Sequence, residues 1–535
     1  AYKYLATASE AQRAISYTSE WLLDNYYVVQ RAICQMREDM PPGYYRQLPR
    51  LGRQLPKPGA SPLEGYPRIY ALAREVIGHC ESHLDLDRVA RFVQAYQRVA
   101  PLTMGELWAL PTMLRMGTVE RLTQTLAQIT GLQPHGGEGV PAIVPPSQEL
   151  VDEAIVADCI LSLRTLATQD WMAFFERISR VEQVLRGEPA SIYRRMDFET
   201  RDRYRTVVED LALKTGRDEE EVAQEAIRLA EEKQQSGQDS PRADHVGFYL
   251  LDAGRAQLET RLGYYPPRGT CLRRWLFGHP ASVYLSAIVL LTLAVLLGAV
   301  WYAFAAGGTL VQVIGAGALT LLPATAVAVN LINWMITHTV PPRVLPRMDF
   351  QEGIPPEFRT MVVIPALVAG PSEVASLLQQ MELHFLGNAD LHLHFALLAD
   401  FADAPQKHMP GDDELLEQLQ MGIRTLNKKH AQQGAGPFYL FYREREWNPA
   451  EDCWMGWERK RGKLVEFNRL LTSGETSFSL QLGDLDVLPE IKYVITLDAD
   501  TSLPRGSARR LVATLAHPLN RAEFDPGSDA MVAGY

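Results

Sequence analysis

The sequence predicts a multidomain α plus α/β protein: a helical N-terminal domain, a transmembrane helical hairpin, and an α/β domain incomplete at its C-terminal end. Three observations carry this expectation. Apolar residues recur at helical spacing through residues 1–260. From Trp275 to Pro342 the chain has no Asp, Glu, Lys or Arg. Beyond residue 346, short apolar strands alternate with helices.

At 535 residues, with 47% hydrophobic and 22% charged residues, the chain is long enough for more than one folded domain. A net charge of −11 argues against a nucleic-acid partner, which would call for a basic surface. The five cysteines (Cys34, Cys80, Cys159, Cys271, Cys453) are odd in number and lack CxxC spacing. They point to a reducing compartment, and neither to a zinc site nor to a disulfide framework. Residues 1–30 mix Glu, Arg and Asp with apolar positions, so no secretory signal peptide is read there.

The N-terminal domain is expected over residues 1–270. Ser19–Met36 places Trp21, Leu22, Tyr26, Val29, Ile33 and Met36 near helical spacing. Amphipathic stretches follow at Ile69–Cys80, Leu86–Val99, Thr118–Leu126, Ser147–Ala167 and Trp171–Leu185, with Met40–Gly43 and Gly136–Pro146 as breakers. Asp218–Gln234 reads as a highly charged, solvated helix. Isolated His79, His83 and His135 suggest no ligand site, and the domain reads as a scaffold.

The hairpin is expected over residues 271–345, with spans at about 281–306 and 309–340 joined at Gly307-Gly308. Spanning takes about 20 apolar residues, which each run supplies. Trp275, Phe277, Trp301, Tyr302 and Trp334 lie near the ends of the runs, as interfacial aromatics do. Arg268, Arg273 and Arg274 precede the first span and Arg343 and Arg347 follow the second, which predicts that both flanks are cytoplasmic.

In residues 346–535, strands are expected at Thr360–Pro365, Leu391–Leu398, Phe438–Tyr442 and Tyr493–Leu497. The intervening helices are read from Ser372, as cap, to Phe385, then at Asp413–Gln432 and Lys463–Leu471. Ligands of such sheets bind beyond the carboxyl ends of the strands. Pro365, Asp400, Arg443, Asp498 and Asp500 fall at or just past those ends. Asp498 and Asp500 form an Asp-X-Asp triplet, whose oxygens suit Mg²⁺ or Mn²⁺ bound against a diphosphate. Glu458–Lys463 (ERKRGK) concentrates positive charge where a helix would begin. Gly462 and the helix N-terminus could there meet an anion. Lys463 and Arg461 would face a pyrophosphate, or Lys463 the sugar; Trp454 and Trp457 would stack on a sugar or simply pack. The chain ends just after Met531-Val532-Ala533, which reads as the start of a new strand and suggests a piece of a longer polypeptide.

The order PA, AD, KRGK, LDADT is similar to the family-2-like GT-A glycosyltransferases, whose donor domain is Rossmann-like. More specifically, WMGWERKRGKLVEFNRLL, ITLDADTSLPRGSARRLVATLAHPLN, WLLDNYYVVQ, PPGYYRQLPRL and AYQRVAPLTMGELWALP resemble the cyclic β-1,2-glucan synthases. The resemblance covers nearly the whole chain. It implies a bacterial inner-membrane enzyme, multi-pass, that polymerises glucose from UDP-glucose through β-1,2 links onto a growing, protein-linked β-glucan. Membrane lipid and C-terminal domains of the same polypeptide would be its partners. By this match Asp498 and Asp500 bind Mg²⁺ or Mn²⁺ and Lys463 sits near the donor, with Pro365 and Arg461 in the same site. Asp400 faces the uridine, with Asp403 as the alternative. The catalytic base is expected beyond Tyr535, so the chain alone is not expected to turn over. Rival readings are a processive synthase of the cellulose or hyaluronan type, or an inactive membrane scaffold with a transferase fold.

Overall fold

A computed structural model describes residues 17–52, 63–80, 83–130, 152–236, 242–431, 436–525, 527–528 and 530–534. The predicted breaker Gly136–Pro146 and His135 lie outside these residues. The chain divides into two compact units. One comprises Ala1–Arg194 with Asp202–Gly254, the other Arg195–Arg201 with Arg255–Tyr535.

The described part of the first unit is helical, with no strand longer than an isolated bridge. The apolar spacing explains why. Leu86–Gln97 buries Val89, Ala90 and Val93, and the Asp85 carboxylate accepts from the amides of Asp87 and Arg88 at its start. The expected helix Trp171–Leu185 is two helices, Trp171–Ile178 and Arg180–Leu185. Ser179 between them takes an extended conformation and its hydroxyl caps the second, a role that periodicity alone does not reveal. The expected Thr118–Leu126 is one part of a 27-residue helix, Met104–Thr130. Among its buried polar side chains, Glu188 faces His245 Nδ1 at 2.7 Å, and Tyr204 Oη meets His245 Nε2 at 2.9 Å.

In the second unit, helices Pro280–Ala305 and Leu310–Thr339 are long and apolar enough to cross a membrane. Gly307, with φ +80°, makes the turn between them, and Thr309 and Gln312 form a capping box. Ala324, Ala328 and Ile332 recur every four residues as the buried seam of the second helix. Tyr284 Oη donates across to Asn333 Oδ1 at 2.9 Å. Nearly everything else faces outward: Leu290, Trp301 and Leu319 are 67%, 70% and 81% exposed. A core helix of a soluble fold would bury such side chains.

The same unit carries a five-stranded sheet of β1 (Thr360–Val368), β2 (Leu393–Phe401), β3 (Phe438–Arg443), β6 (Leu480–Leu482) and β7 (Tyr493–Thr496). Its order is β6-β3-β2-β1-β7, parallel except for β6 against β3. A small hairpin, β4 (Glu446–Asn448) and β5 (Cys453–Met455), stands apart from it. β2 and β3 are buried along their whole length, whereas β7 at the sheet edge is only half-buried. Pro365 lies inside β1, not at its end. Val363 gives its carbonyl to Leu497 N, so Pro365, two residues on, faces the same flank; β7 has ended there, and the missing N–H breaks no ladder bond.

On one face of the sheet Met361, Val363, Ala396, Leu398, Tyr439 and Phe441 pack against Phe467 of helix Arg459–Ser473. The Phe441 and Phe467 rings meet edge to face at 5.3 Å. Burying each such ring contributes about 2–3 kcal/mol. This contact fixes the helix against the sheet. The helix Pro371–Gly387 starts one residue before Ser372, because Pro371 has the fixed φ suited to a first turn and Gly370 occupies the cap.

Candidate functional site

The site is built where β2 and β3 end. Asp400 is the penultimate residue of β2, opposite Arg443 at the end of β3. The expected strand stopped two residues short of it. The strand continues because Asp400 is 1% exposed yet fully paired: Arg443 Nε and Nη2 donate to its two oxygens at 3.0 and 2.8 Å. Lys463 Nζ adds a contact to Asp400 at 3.0 Å and donates to Ala366 O of β1 at 2.7 Å. Arg443 Nη1 also faces Glu466 at 3.3 Å.

Two cations thus converge on one buried carboxylate, with Glu466 at the margin. Burial pushes the Lys463 ammonium below the usual lysine range, Asp400 opposes that shift, and the Arg443 charge adds to it. For Arg443 burial also works against the charge, but the Asp400 hydrogen bonds and charge outweigh it and leave the guanidinium pKa raised. The backbone closes tightly over this network. A Cβ on Gly456 would strike the Asp400 carboxylate, and one on Gly462 would strike the Trp457 carbonyl and Arg443.

The helix expected from Lys463 begins at Arg459. Gly462 therefore lies inside it, with its N–H donating to Glu458 O at 3.1 Å rather than being free for an anion. Glu458 and Arg459 enter this helix with φ of 49° and 45°, a left-handed backbone that side chains other than glycine seldom adopt. Arg461 points to solvent and pairs with Glu458 at 3.1 Å, so it does not join Asp400 and Lys463.

Asp498 and Asp500 stand exposed on the loop after β7, where Thr501 N closes a turn onto the Asp498 carbonyl at 2.9 Å. Lys460 is ion-paired with Asp498. Two open carboxylates one residue apart fit a hard divalent cation whose remaining ligands are water or phosphate oxygens. Among the described residues, a cluster of three possible ligands lies elsewhere: ligand atoms of Asp403, Glu451 and Cys453 lie within 4.8 Å of one another. Arg459 bonds both of these carboxylates, at 2.8 and 3.0 Å, and offsets one of their two charges.

Sequence reasoning missed the pairing roles of Glu466, Arg459 and Lys460. Lys463, Glu466 and Phe467 are spaced i, i+3, i+4, which is the signal that sets two charged residues on the same helix face as a core phenylalanine.

No protein-family model matches the chain. Over an alignment 612 positions long, gaps included, that covers 99% of the chain, it is 32% identical to the cyclic beta-(1,2)-glucan synthase NdvB of Rhizobium meliloti (strain 1021). The resemblance to the cyclic β-1,2-glucan synthases is borne out. The chain spans 21% of the length of NdvB. The similarity therefore takes in the helical region, the apolar hairpin and the sheet with its carboxylate pairs, all within one part of a much longer relative.

Proposed function

We propose that the chain forms the donor-binding part of a membrane-bound glucosyltransferase that builds β-1,2-glucan from UDP-glucose. The observation that carries this reading is the similarity to NdvB along 99% of the chain. The sheet, with its acidic and basic residues gathered where β2, β3 and β7 end, supports a GT-A type of donor domain. Localisation follows the same reading: the apolar hairpin anchors the protein in a bilayer, with its arginine-bearing flanks on the cytoplasmic side.

Within the site, Asp403 is exposed and Asp400 is enclosed by Arg443 and Lys463. We assign the uracil contact to Asp403. Asp400 is the buried anchor that holds the ends of β2 and β3 and the Lys463 helix in register. Asp498 and Asp500 would hold Mg²⁺ or Mn²⁺, which when bound neutralises charge on the diphosphate leaving group. Lys460, now on Asp498, would turn to the phosphates. The reaction is an inverting displacement in which an acceptor 2-hydroxyl attacks C1 of the α-linked glucose, its proton passes to a general base, the bond from C1 to the diphosphate oxygen breaks and UDP departs.

Calorimetric titration of UDP into the detergent-solubilised protein tests this. Binding is expected with Mn²⁺ and should be lost with EDTA and in Asp498→Ala. Metal-independent binding, or Asp498→Ala binding as the wild type does, would overturn the metal assignment. Linkage analysis of glucan made from UDP-glucose by membranes that carry the protein tests the β-1,2 bond; β-1,4 or β-1,3 links would refute it.

A further inference from the structure

Beside the proposed donor site lies a second concavity. The β4–β5 hairpin and the turn that follows it enclose a cavity of about 490 Å³, bordered by Glu446, Trp447, Asn448, Glu451, Trp457 and Arg459. Trp447 and Trp457 are 46% and 43% exposed there, although indoles are normally buried further. We propose that this pocket is a binding subsite for a neutral glucose oligosaccharide, a segment of the glucan chain. That the sugar is glucose rests on the proposed function; that the ligand is a neutral carbohydrate rests on the pocket itself.

The pocket is a fixed surface. Trp447 is backed by Trp454 on the neighbouring strand, their rings 5.8 Å apart. Trp454 exchanges two backbone hydrogen bonds with Ala404, at 2.8 and 2.9 Å, which tie the hairpin to the segment after β2. Trp457 is held from below, because its carbonyl packs on Gly462 and the preceding Gly456 packs on Asp400 and Arg443. The left-handed backbone at Asp452, Glu458 and Arg459 brackets Trp454 and Trp457. Strain of this kind persists only where the surroundings over-determine it, and it gathers at binding sites.

The charge distribution selects the ligand. Arg459 is the cation on the pocket wall, and its guanidinium is already bonded to Asp403 and Glu451. With Glu446 and Glu458 also present, the wall is net acidic and repels phosphate. Carboxylates and an amide accept hydrogen bonds from sugar hydroxyls, while indole faces take the C–H face of a pyranose ring. Lys460, next after Arg459, reaches Asp498. The turn thus has the pocket on one side and the proposed metal loop on the other, which sets the oligosaccharide beside the donor.

The test is titration of a linear β-1,2-linked glucose hexasaccharide into the detergent-solubilised 535-residue chain, run beside the UDP and Mn²⁺ titration. The hexasaccharide is expected to bind at least tenfold more weakly to Trp447→Ala and Trp457→Ala and nearly normally to Trp457→Phe, with UDP binding unchanged in all three. Absence of hexasaccharide binding to the wild type, or equal binding to the alanine variants, overturns the subsite whatever UDP does. Absence of UDP binding strikes the proposed function and leaves the hexasaccharide result to judge the pocket. Should an alanine variant not fold, quenching of indole fluorescence by the hexasaccharide decides: present in the wild type and reduced in Trp457→Phe supports the subsite, unchanged in Trp457→Phe refutes it.

Discussion

Arg443 grips the Asp400 carboxylate through two hydrogen bonds, and the two side chains are only 3% and 2% exposed. Removing Asp400 would leave Lys463 buried without its counter-charge and Arg443 with only Glu466 beside it. Asp400→Ala is therefore expected to cost about 3–5 kcal/mol of stability. Urea unfolding monitored by circular dichroism measures it, and a loss below about 1 kcal/mol would mean that the network is not an anchor.

Lys460 competes with any cation for Asp498. Lys460→Met frees the carboxylate and removes a nearby positive charge. Mn²⁺ alone should then bind more tightly than in the wild type, as read by electron paramagnetic resonance. Weaker binding in the variant would place the metal elsewhere.

Gly462 has no room for a side chain between the Trp457 carbonyl and Arg443. Gly462→Ala should cost about 1–3 kcal/mol by overpacking. It should also loosen the turn that carries Trp457, seen as a shifted indole emission. A variant as stable as the wild type would show that the turn relaxes freely.

His394 on β2 is buried, and neither ring nitrogen has a hydrogen-bond partner. Burial, with the neighbouring Arg359 and His392 charges, pushes its pKa down to about 4. Because the folded state prefers the neutral ring, this contribution to stability is complete above about pH 6.5 and is lost as pH falls through 4. The loss amounts to about 3 kcal/mol. His394→Leu should flatten the stability profile in that window, measured by thermal melts from pH 7 to 4. An unchanged slope would contradict the assignment.

Glu219, in the helical unit, is pushed up to about 7 by burial first and then by the Glu209, Glu106 and Asp218 charges. The sign is opposite to that of His394. Stability from its protonated form is present below about pH 4.5 and is lost as pH rises through 7. Glu219→Gln should gain about 2 kcal/mol at pH 8 and nothing at pH 4, again by thermal melts. A gain at both values would point to packing rather than charge.

The hairpin, most of the helices and all four expected strands were legible in the sequence, because each depends on local composition or on periodicity. Boundaries moved where a side chain's hydrogen bonds override the periodicity. Ser179 splits a helix by capping it, and β2 runs on to Phe401 because Arg443 compensates Asp400. The resemblance to the glucan synthases was legible too, since long segments such as WMGWERKRGKLVEFNRLL carry it.

What the sequence by itself determined is therefore the inventory: an uncharged hairpin, alternating strands and helices, and a set of acidic and basic residues near strand ends. Tertiary structure alone decided which of those residues turn inward and which stay at the surface. Arg461 and Lys463 are two residues apart, and a helix turns about 200° over that distance. One is accordingly 80% exposed and the other 4% exposed, against Asp400. Sequence spacing places both in one basic cluster, but only the packing of Phe467 on the sheet sets which face turns inward, because burial of that ring fixes the rotation of the helix.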